Sequence, residues 1–160
     1  MYDADLIMES MLQIFYVLMA VYGWLQWNNI VDKKITQVNH SFTKKKGTIR
    51  GLHYQIGDEQ GKLIHVANGC IKDVIVDIRK DSPSFGKSLS FNLDSKNHHM
   101  LFVPEGFAHG YLVLEEKTLV MYKCTGYYNP KKEYGIKWDD PDINIDWGIV
   151  SPVMSDKDNN

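Results

Sequence analysis

The stretch KLIHVANGCIKDVIVDI (62–78) decides the fold class. Two runs rich in apolar and β-branched residues, Leu63 to Ala67 and Cys70 to Ile78, flank Asn68-Gly69. An Asn-Gly pair between such runs is the strongest short-range hairpin signal, because a two-residue type I′ turn needs positive φ at both central positions. The stretch therefore predicts a hairpin. Working outward, Leu89 to Leu93 reads as another short strand, and Leu101 to Val103 leads into the turn Pro104-Glu105-Gly106. Gly110 to Leu114 and Thr118 to Thr125 flank a Glu-Glu-Lys turn. The β pattern begins near residue 35, no helical period interrupts it, and the tail after Trp147 reads as a loop. Many short strands at this spacing predict an all-β fold, a β-sandwich or jelly roll. There is no internal repeat and no low-complexity tract.

The 160 residues suit one domain with a sizeable core, and 44% hydrophobic and 24% charged residues are ordinary for a globular chain. A formal net charge of −2 gives no reason to expect a nucleic-acid partner. Lys44-Lys45-Lys46 with Arg50 is locally basic, readable as a solvated loop or as the neighbourhood of an anionic ligand. The two cysteines, Cys70 and Cys124, lack CxxC spacing and lie in apolar strand-like runs. They read as small buried hydrophobes, and a reducing, cytoplasmic setting is the expectation.

Residues 1–30 differ in character from 31–160. No charge occurs from Ser10 to Asn29, and Met11 to Trp27 is nearly all apolar. That is about the shortest run able to span a bilayer. Tyr22, Trp24 and Trp27 resemble an interfacial aromatic belt; Asp3, Asp5 and Glu9 precede the run, and Lys33 and Lys34 follow it. A basic start and a small-residue cleavage site are both absent, so it does not read as a signal peptide. Three readings stay open: a membrane-contacting helix through residues 11–27, a buried or dimer-interface helix, and a misplaced start or gene junction. MESMLQIFYVLMAVYGWLQW (8–27) is also similar to part of a bacterial nicotinamide mononucleotide transporter. One such segment cannot make a transporter.

Pro104-Glu105-Gly106-Phe107-Ala108-His109 resembles the later half of a cupin metal pattern, but no His-x-His pair supplies the earlier half. His53 is followed by Tyr54 and Gln55, and His65 by Val66 and Ala67. His98-His99 are adjacent, so on a strand they point to opposite faces. Three or four converging ligands are needed, and no metal is expected. His53 lies in RGLHYQ (50–55), Lys62 opens a strand, and alternation places Tyr122 on one inward face with Val120 and Cys124. By themselves a strand tyrosine and a lone histidine are usually structural. The residues alone reach a β-sandwich with some inward polar groups.

A run of motifs goes further. NHSFTKKKGTIRGLHYQ (39–55), QGKLIHVANGCIKDVIVDIRKDSPSFG (60–86), FVPEGFAHGYLVL (102–114), YKCTGYYNP (122–130), GIKWDDPDINIDW (135–147) and SDKD (155–158) resemble the dTDP-4-dehydrorhamnose 3,5-epimerases in order and spacing. The resemblance covers roughly the last three-quarters of the chain. It implies an RmlC-like cupin jelly roll that acts without metal or redox cofactor, as a homodimer, on a dTDP-sugar. It implies an isomerase of dTDP-rhamnose biosynthesis, which takes protons from C3 and C5 beside a C4 ketone and returns them on the other face. His53 matches the base, Asp158 the carboxylate orienting it, Tyr122 the opposing acid and Lys62 the cation beside the C4 oxygen. Arg50 and His109 resemble groups near the pyrophosphate, Gln37 and Asn39 polar contacts to the nucleotide sugar, and Tyr127 the aromatic packing on thymine.

The family opens with short strands and a segment resembling F-x-D-x-R-G-x-F-x-E, which helps hold the nucleotide partly across the dimer. The apolar stretch stands in its place here, so the jelly-roll part reads as N-terminally truncated relative to the family. Alternatives to the double epimerase are a 3-epimerase or 5-epimerase alone, and a truncated or fused relative that binds nucleotide poorly and does no chemistry.

Overall fold

A computed structural model describes residues 33–155, Lys157 and Asp158. The chain divides between Lys34 and Ile35 into two compact units. The apolar segment, with its membrane, interface and gene-junction readings and its transporter-like stretch, lies outside the described residues.

Nine strands occur among the described residues: β1 (Gln37–Thr43), β2 (Ile49–Gln55), β3 (Lys62–Asn68), β4 (Cys70–Asp77), β5 (Ser88–Asp94), β6 (Met100–Val103), β7 (Phe107–Val113), β8 (Thr118–Cys124) and β9 (Glu133–Gly135). They form a four-stranded sheet in the order β1-β8-β3-β6 and a five-stranded sheet in the order β5-β4-β7-β2-β9. Every ladder is antiparallel. This is the expected all-β jelly-roll sandwich.

Alternation along each strand builds the core between the sheets. Ile64 and Val66 of β3 and Val120 of β8 face Ile71 and Ile75 of β4 and Val113 of β7. The opposite parity of the five-stranded sheet is buried too. Val74 and Val76 of β4, Leu112 of β7 and Ile49 and Leu52 of β2 cluster with Trp147 and with Trp138, Ile143, Ile145 and Ile149. Sequence 74–76 is uninterruptedly apolar because both its faces are covered. The C-terminal segment carries little regular structure, as read, yet it forms the cover. Trp147 is pinned through its indole N–H, which donates to the Trp138 carbonyl at 2.7 Å.

The hairpin expectation is corrected. β3 and β4 do not pair: β3 lies between β6 and β8, and β4 lies between β5 and β7. Asn68-Gly69 is a corner that carries the chain from one sheet to the other. The Asn68 side-chain amide donates to the Lys117 carbonyl at 2.8 Å, and Gly69 has φ of +86°. An Asn-Gly pair reports positive φ, and a corner uses that as readily as a hairpin does. The turns at 104–106 and 115–117 switch sheets in the same way, since β6 and β7, and then β7 and β8, belong to different sheets.

The Gly69 corner has no room for a side chain. A Cβ there would lie 2.3 Å from Thr118 Oγ1 and 3.0 Å from Thr118 Cα. Left-handed backbone costs an ordinary residue roughly 1–2 kcal/mol, and overpacking a further 1–3 kcal/mol. Gly69→Ala is therefore expected to destabilise the fold by about 2 kcal/mol or more in urea denaturation. A loss below about 0.5 kcal/mol, the range of ordinary surface changes, would show that the corner relaxes freely.

Candidate active site

The two sheets open toward one end on a cavity of about 420 Å³. Its facing walls come from different sheets. Gln37 and Asn39 of β1, Tyr122 of β8 and Lys62 of β3 line one side; Arg50 and His53 of β2 and His109 of β7 line the other. The ladders fix these positions. Asn39 and Ile64 both sit opposite Tyr122, Lys62 sits opposite Cys124, and His53 sits opposite His109.

The β2 wall depends on an irregularity. The β2–β7 register shifts between Arg50 and His53. Gly51, at φ +94°, passes so close to β7 that a Cβ would lie 2.6 Å from the His109 carbonyl oxygen and 2.8 Å from Gly110 Cα. Its N–H donates to Asp158 Oδ1 at 3.1 Å. The same oxygen lies 2.9 Å from His53 Nε2, while Ser155 Oγ donates to Asp158 Oδ2 at 2.6 Å. Arg50 Nη1 stands 3.9 Å from Oδ2. Burial alone would raise the pKa of this carboxyl; hydrogen bonds from His53, Ser155 and the Gly51 amide outweigh it and bring the value down to about 2.

On the other side of the imidazole, Glu133 Oε1 is 3.9 Å from His53 Nδ1. Glu133 Oε2 pairs with Lys157 Nζ at 2.6 Å and accepts from Tyr128 Oη at 2.7 Å. Burial works to raise the Glu133 pKa, but these two hydrogen bonds and the nearby charges hold it below its ordinary value. His53 thus stands between two ionised carboxylates.

Burial pushes the Lys62 ammonium down, opposed by the negative groups Cys124, Glu133 and Asp73 can present. Burial pushes the Tyr122 phenol up, so it is protonated at neutral pH. The Cys124 thiol is also raised by burial; it accepts from Asn39 Nδ2 at 3.6 Å, and Asn39 Oδ1 accepts from Gln37 Nε2 at 2.8 Å. His109 Nε2 pairs with Asp73 Oδ2 at 2.8 Å, Asp73 being wholly buried. No group of three or more His, Cys, Asp or Glu side chains is placed to hold a metal among the described residues. His98 and His99 are exposed in the β5–β6 connection.

The structure brings His53, Tyr122, Asp158, Lys62, Arg50, His109, Gln37 and Asn39 to the one cavity. It does not bring Tyr127, which is 72% exposed and away from it. The neighbouring Tyr128 lines the cavity, its backbone N–H donating to Gln37 Oε1 at 2.9 Å. Gly126-Tyr127-Tyr128 lies outside any strand, so no alternation could choose between the rings. Glu133, Lys157, Ser155 and Asp73 were not singled out from the sequence. Lys157 and Ser155 belong to the SDKD stretch beside Asp158, and Asp73 has the core-facing parity of β4; those signals were visible. Glu133, in Lys131-Lys132-Glu133-Tyr134, carried none.

The dTDP-4-dehydrorhamnose 3,5-epimerase family matches residues 19–160. The chain belongs to this family. A dTDP-4-dehydrorhamnose 3,5-epimerase of Neisseria gonorrhoeae is 47% identical over 137 residues, 85% of this chain and 41% of the relative. One of Shigella flexneri is 47% identical over 132 residues, 81% of this chain and 73% of the relative. The chain thus spans less than half of the first relative and about three-quarters of the second. A crystal structure of the Bacillus anthracis enzyme with TDP and PPi bound superposes with a TM-score of 0.80 at 44% identity, covering 84% of this chain and 77% of that one. A Legionella pneumophila enzyme in complex with dTDP-4-keto-L-rhamnose gives 0.76 at 43% identity, covering 79% and 68%. The sequence expectation of an isomerase family acting on a dTDP-sugar is borne out.

Asp158 gives this family site a pH signature. A carboxyl whose folded pKa is depressed contributes stability above its unfolded pKa and loses it as pH falls through the folded value. From about pH 4 down to about pH 2 the contribution, roughly 2 kcal/mol, should disappear. The stability difference between the parent and Asp158→Asn is expected to shrink across that window in denaturant titrations. A difference that stays constant through it would mean that the ionised carboxylate is not what Asp158 contributes.

Proposed function

We propose that this chain epimerises dTDP-4-dehydro-6-deoxy-D-glucose at C3 and C5 to dTDP-4-dehydro-L-rhamnose, by proton exchange across the cavity. The observation that carries the reading is the placement of His53 and Tyr122 on facing sheets of one cavity, with His53 held by Asp158. Hydrogens beside the C4 ketone are acidic because the resulting carbanion spreads onto the ketone oxygen. Removing one from a ring face and returning one to the other needs a base and an acid on opposite walls.

His53 is the base. With Nε2 bonded to Asp158, the second ring nitrogen Nδ1 is the one left to take a proton. The ionised carboxylates beside it favour the imidazolium that forms. Lys62 accounts for the enolate: a desolvated ammonium gains most from negative charge developing beside it. Tyr122, protonated and on the opposite wall, delivers the proton. Arg50 and His109 are assigned to the pyrophosphate, Gln37 and Asn39 to polar contacts with the nucleotide sugar, and the thymine-packing role passes from Tyr127 to Tyr128. No cofactor enters this scheme.

A homodimer is part of the proposal. Val38 and Phe42 are exposed on the outward parity of edge strand β1, and Met100 on β6 of the same sheet, an apolar outer face suited to a second copy. A cytoplasmic setting is likewise proposed. No helix among the described residues is long and apolar enough to cross a membrane. Residues 1–30, set apart from residues 31–160 by their apolar composition, are proposed as a separate segment, with membrane contact through 11–27 as one of its readings.

Deuterium incorporation from heavy water into the substrate tests the assignment. His53→Ala should cut exchange at C3 and C5 by about 10²–10⁴-fold with the fold intact. A variant within threefold of the parent would remove His53 from the role. Tyr122→Phe should let exchange persist while inverted product falls steeply. An unchanged ratio of inversion to exchange would return Tyr122 to the core. The number of inverted centres in the product separates the double epimerase from a single-position enzyme.

A further inference from the structure

His53 borders two hollows. One is the main cavity. The other, of about 210 Å³, opens beside Tyr134 and Gly135 of β9, both exposed. His53, Glu133, Lys157 and Asp158 line both hollows and so stand between them. We propose that the second hollow is a proton port, through which His53 returns its proton to solvent while the nucleotide sugar fills the main cavity, and that Gly135 keeps it open.

The need for such a route rests on the proposed double epimerisation. In each inversion His53 takes a proton from carbon, the C–H electron pair passes to the enolate, and Tyr122 gives its phenolic proton to the carbon's other face. That leaves an imidazolium and a phenolate, and neither can serve a second centre in that state. Before the next inversion the imidazolium must give a proton to water and the phenolate must take one back, so the count of protons is unchanged. A bound sugar lies between the two walls and excludes water there. Without another way out, one base could treat only one centre for each binding event.

The second hollow fits that role in size, charge and shape. A cavity of roughly 10–15 Å³ already holds one water, so this one has room for a short chain of them. Its border is negative: Glu133 and Asp158 are both held ionised, and Lys157 is already paired with Glu133 at 2.6 Å. Glu133 Oε1 stands 3.9 Å from His53 Nδ1, so a water against this carboxylate is within reach of the nitrogen that bears the proton. Gly135 sits opposite His53 in the β2–β9 ladder. Its φ lies outside the left-handed region, and a Cβ there would meet only ordinary contacts, the Leu52 carbonyl oxygen at 3.5 Å and His53 Cδ2 at 4.0 Å. Neither a turn nor close packing therefore requires glycine. What the missing side chain leaves is open space against the edge of the imidazole. Any crevice at a sheet edge could hold water; this one ends on the base.

NMR on the full chain carrying labelled histidine tests the port without any assay of epimerisation. The probe is dTDP-glucose, which has the nucleotide and a hexose but no C4 ketone. With the probe saturating, the His53 ring N–H protons of the parent should still exchange with water, within about threefold of the rate in the free protein. In Gly135→Leu the exchange should slow about tenfold or more with the probe bound, and less than about threefold without it. Gly135→Ala, whose methyl has room, should slow it by an intermediate factor and covers the case in which the leucine variant does not fold. Turnover gives a second reading. Gly135→Leu should raise the ratio of singly to doubly inverted product about tenfold or more, with the first inversion within about threefold of the parent. Exchange stopped by the probe in the parent, or an exchange rate or product ratio unchanged when leucine fills the hollow, would each overturn the port. Equal slowing with and without the probe would overturn it too, as plain damage to the imidazole. A parent that inverts only one centre would count against the double-epimerase reading, and the exchange rates would still decide the port.

Discussion

The Asp158 carboxylate is the constraint on which the site depends. It comes from the C-terminal tail, yet its partners are in and around β2: the Gly51 N–H, the His53 imidazole and the Arg50 guanidinium. The register shift in the β2–β7 ladder leaves the Gly51 donor without an ordinary sheet partner. A buried backbone N–H must be satisfied, and Asp158 does it. One side chain thus compensates the bulge and holds the imidazole. The tail is delivered by backbone pairing just before it: Ile49 N–H donates to the Val153 carbonyl at 2.9 Å, and Val153 N–H to the Gly47 carbonyl at 2.9 Å. Upstream, Trp147 anchors the same segment in the outer core. Packing of the cover and placement of the base are one structural event.

The charges around His53 follow from that arrangement. Two carboxylates flanking one imidazole would repel each other and be costly to bury unless each had further partners. Asp158 has Ser155 and Gly51; Glu133 has Lys157 and Tyr128. Lys157 directly precedes Asp158, so the tail supplies a carboxylate to one side of the histidine and a cation to the carboxylate on its other side. On the opposite wall Tyr122 is neutral, and the Lys62 ammonium, disfavoured by burial, is offset only by the negative groups that Cys124, Glu133 and Asp73 can present.

The strands and their parity were legible because period-two alternation survives wherever one face is buried. Tyr122 was expected on a face with Val120 and Cys124; both neighbours are buried and Tyr122 reaches the cavity. Asn68-Gly69 misled because local sequence encodes φ, not which sheet receives the next strand. That choice is made by long-range pairing of β3 with β8 and of β4 with β7. Tyr127 and Tyr128 could not be separated because a loop has no parity. Glu133 was invisible because its significance arises only when β9 pairs beside β2, setting Gly135 opposite His53. The gathering of the other polar residues was legible through the family motifs, not through any one residue.

A sandwich suits chemistry on two faces of a ring for a geometric reason. Each wall is a ladder, so a functional side chain is placed by its neighbours' backbone bonds rather than by its own. Tyr122 is fixed from both sides, by Asn39 of β1 and Ile64 of β3. A slip of β8 by one residue would turn Met121 and Lys123 inward and carry Tyr122 to the outer face. His53 also has strands on both sides, but one ladder is interrupted at Arg50–His53 and the other belongs to the three-residue edge strand β9. The acid is therefore held by regular sheet, and the base by an irregular strand whose missing bond is supplied from the tail. In the proposed mechanism the reach of the base, more than that of the acid, is set by how firmly residues 153–158 dock.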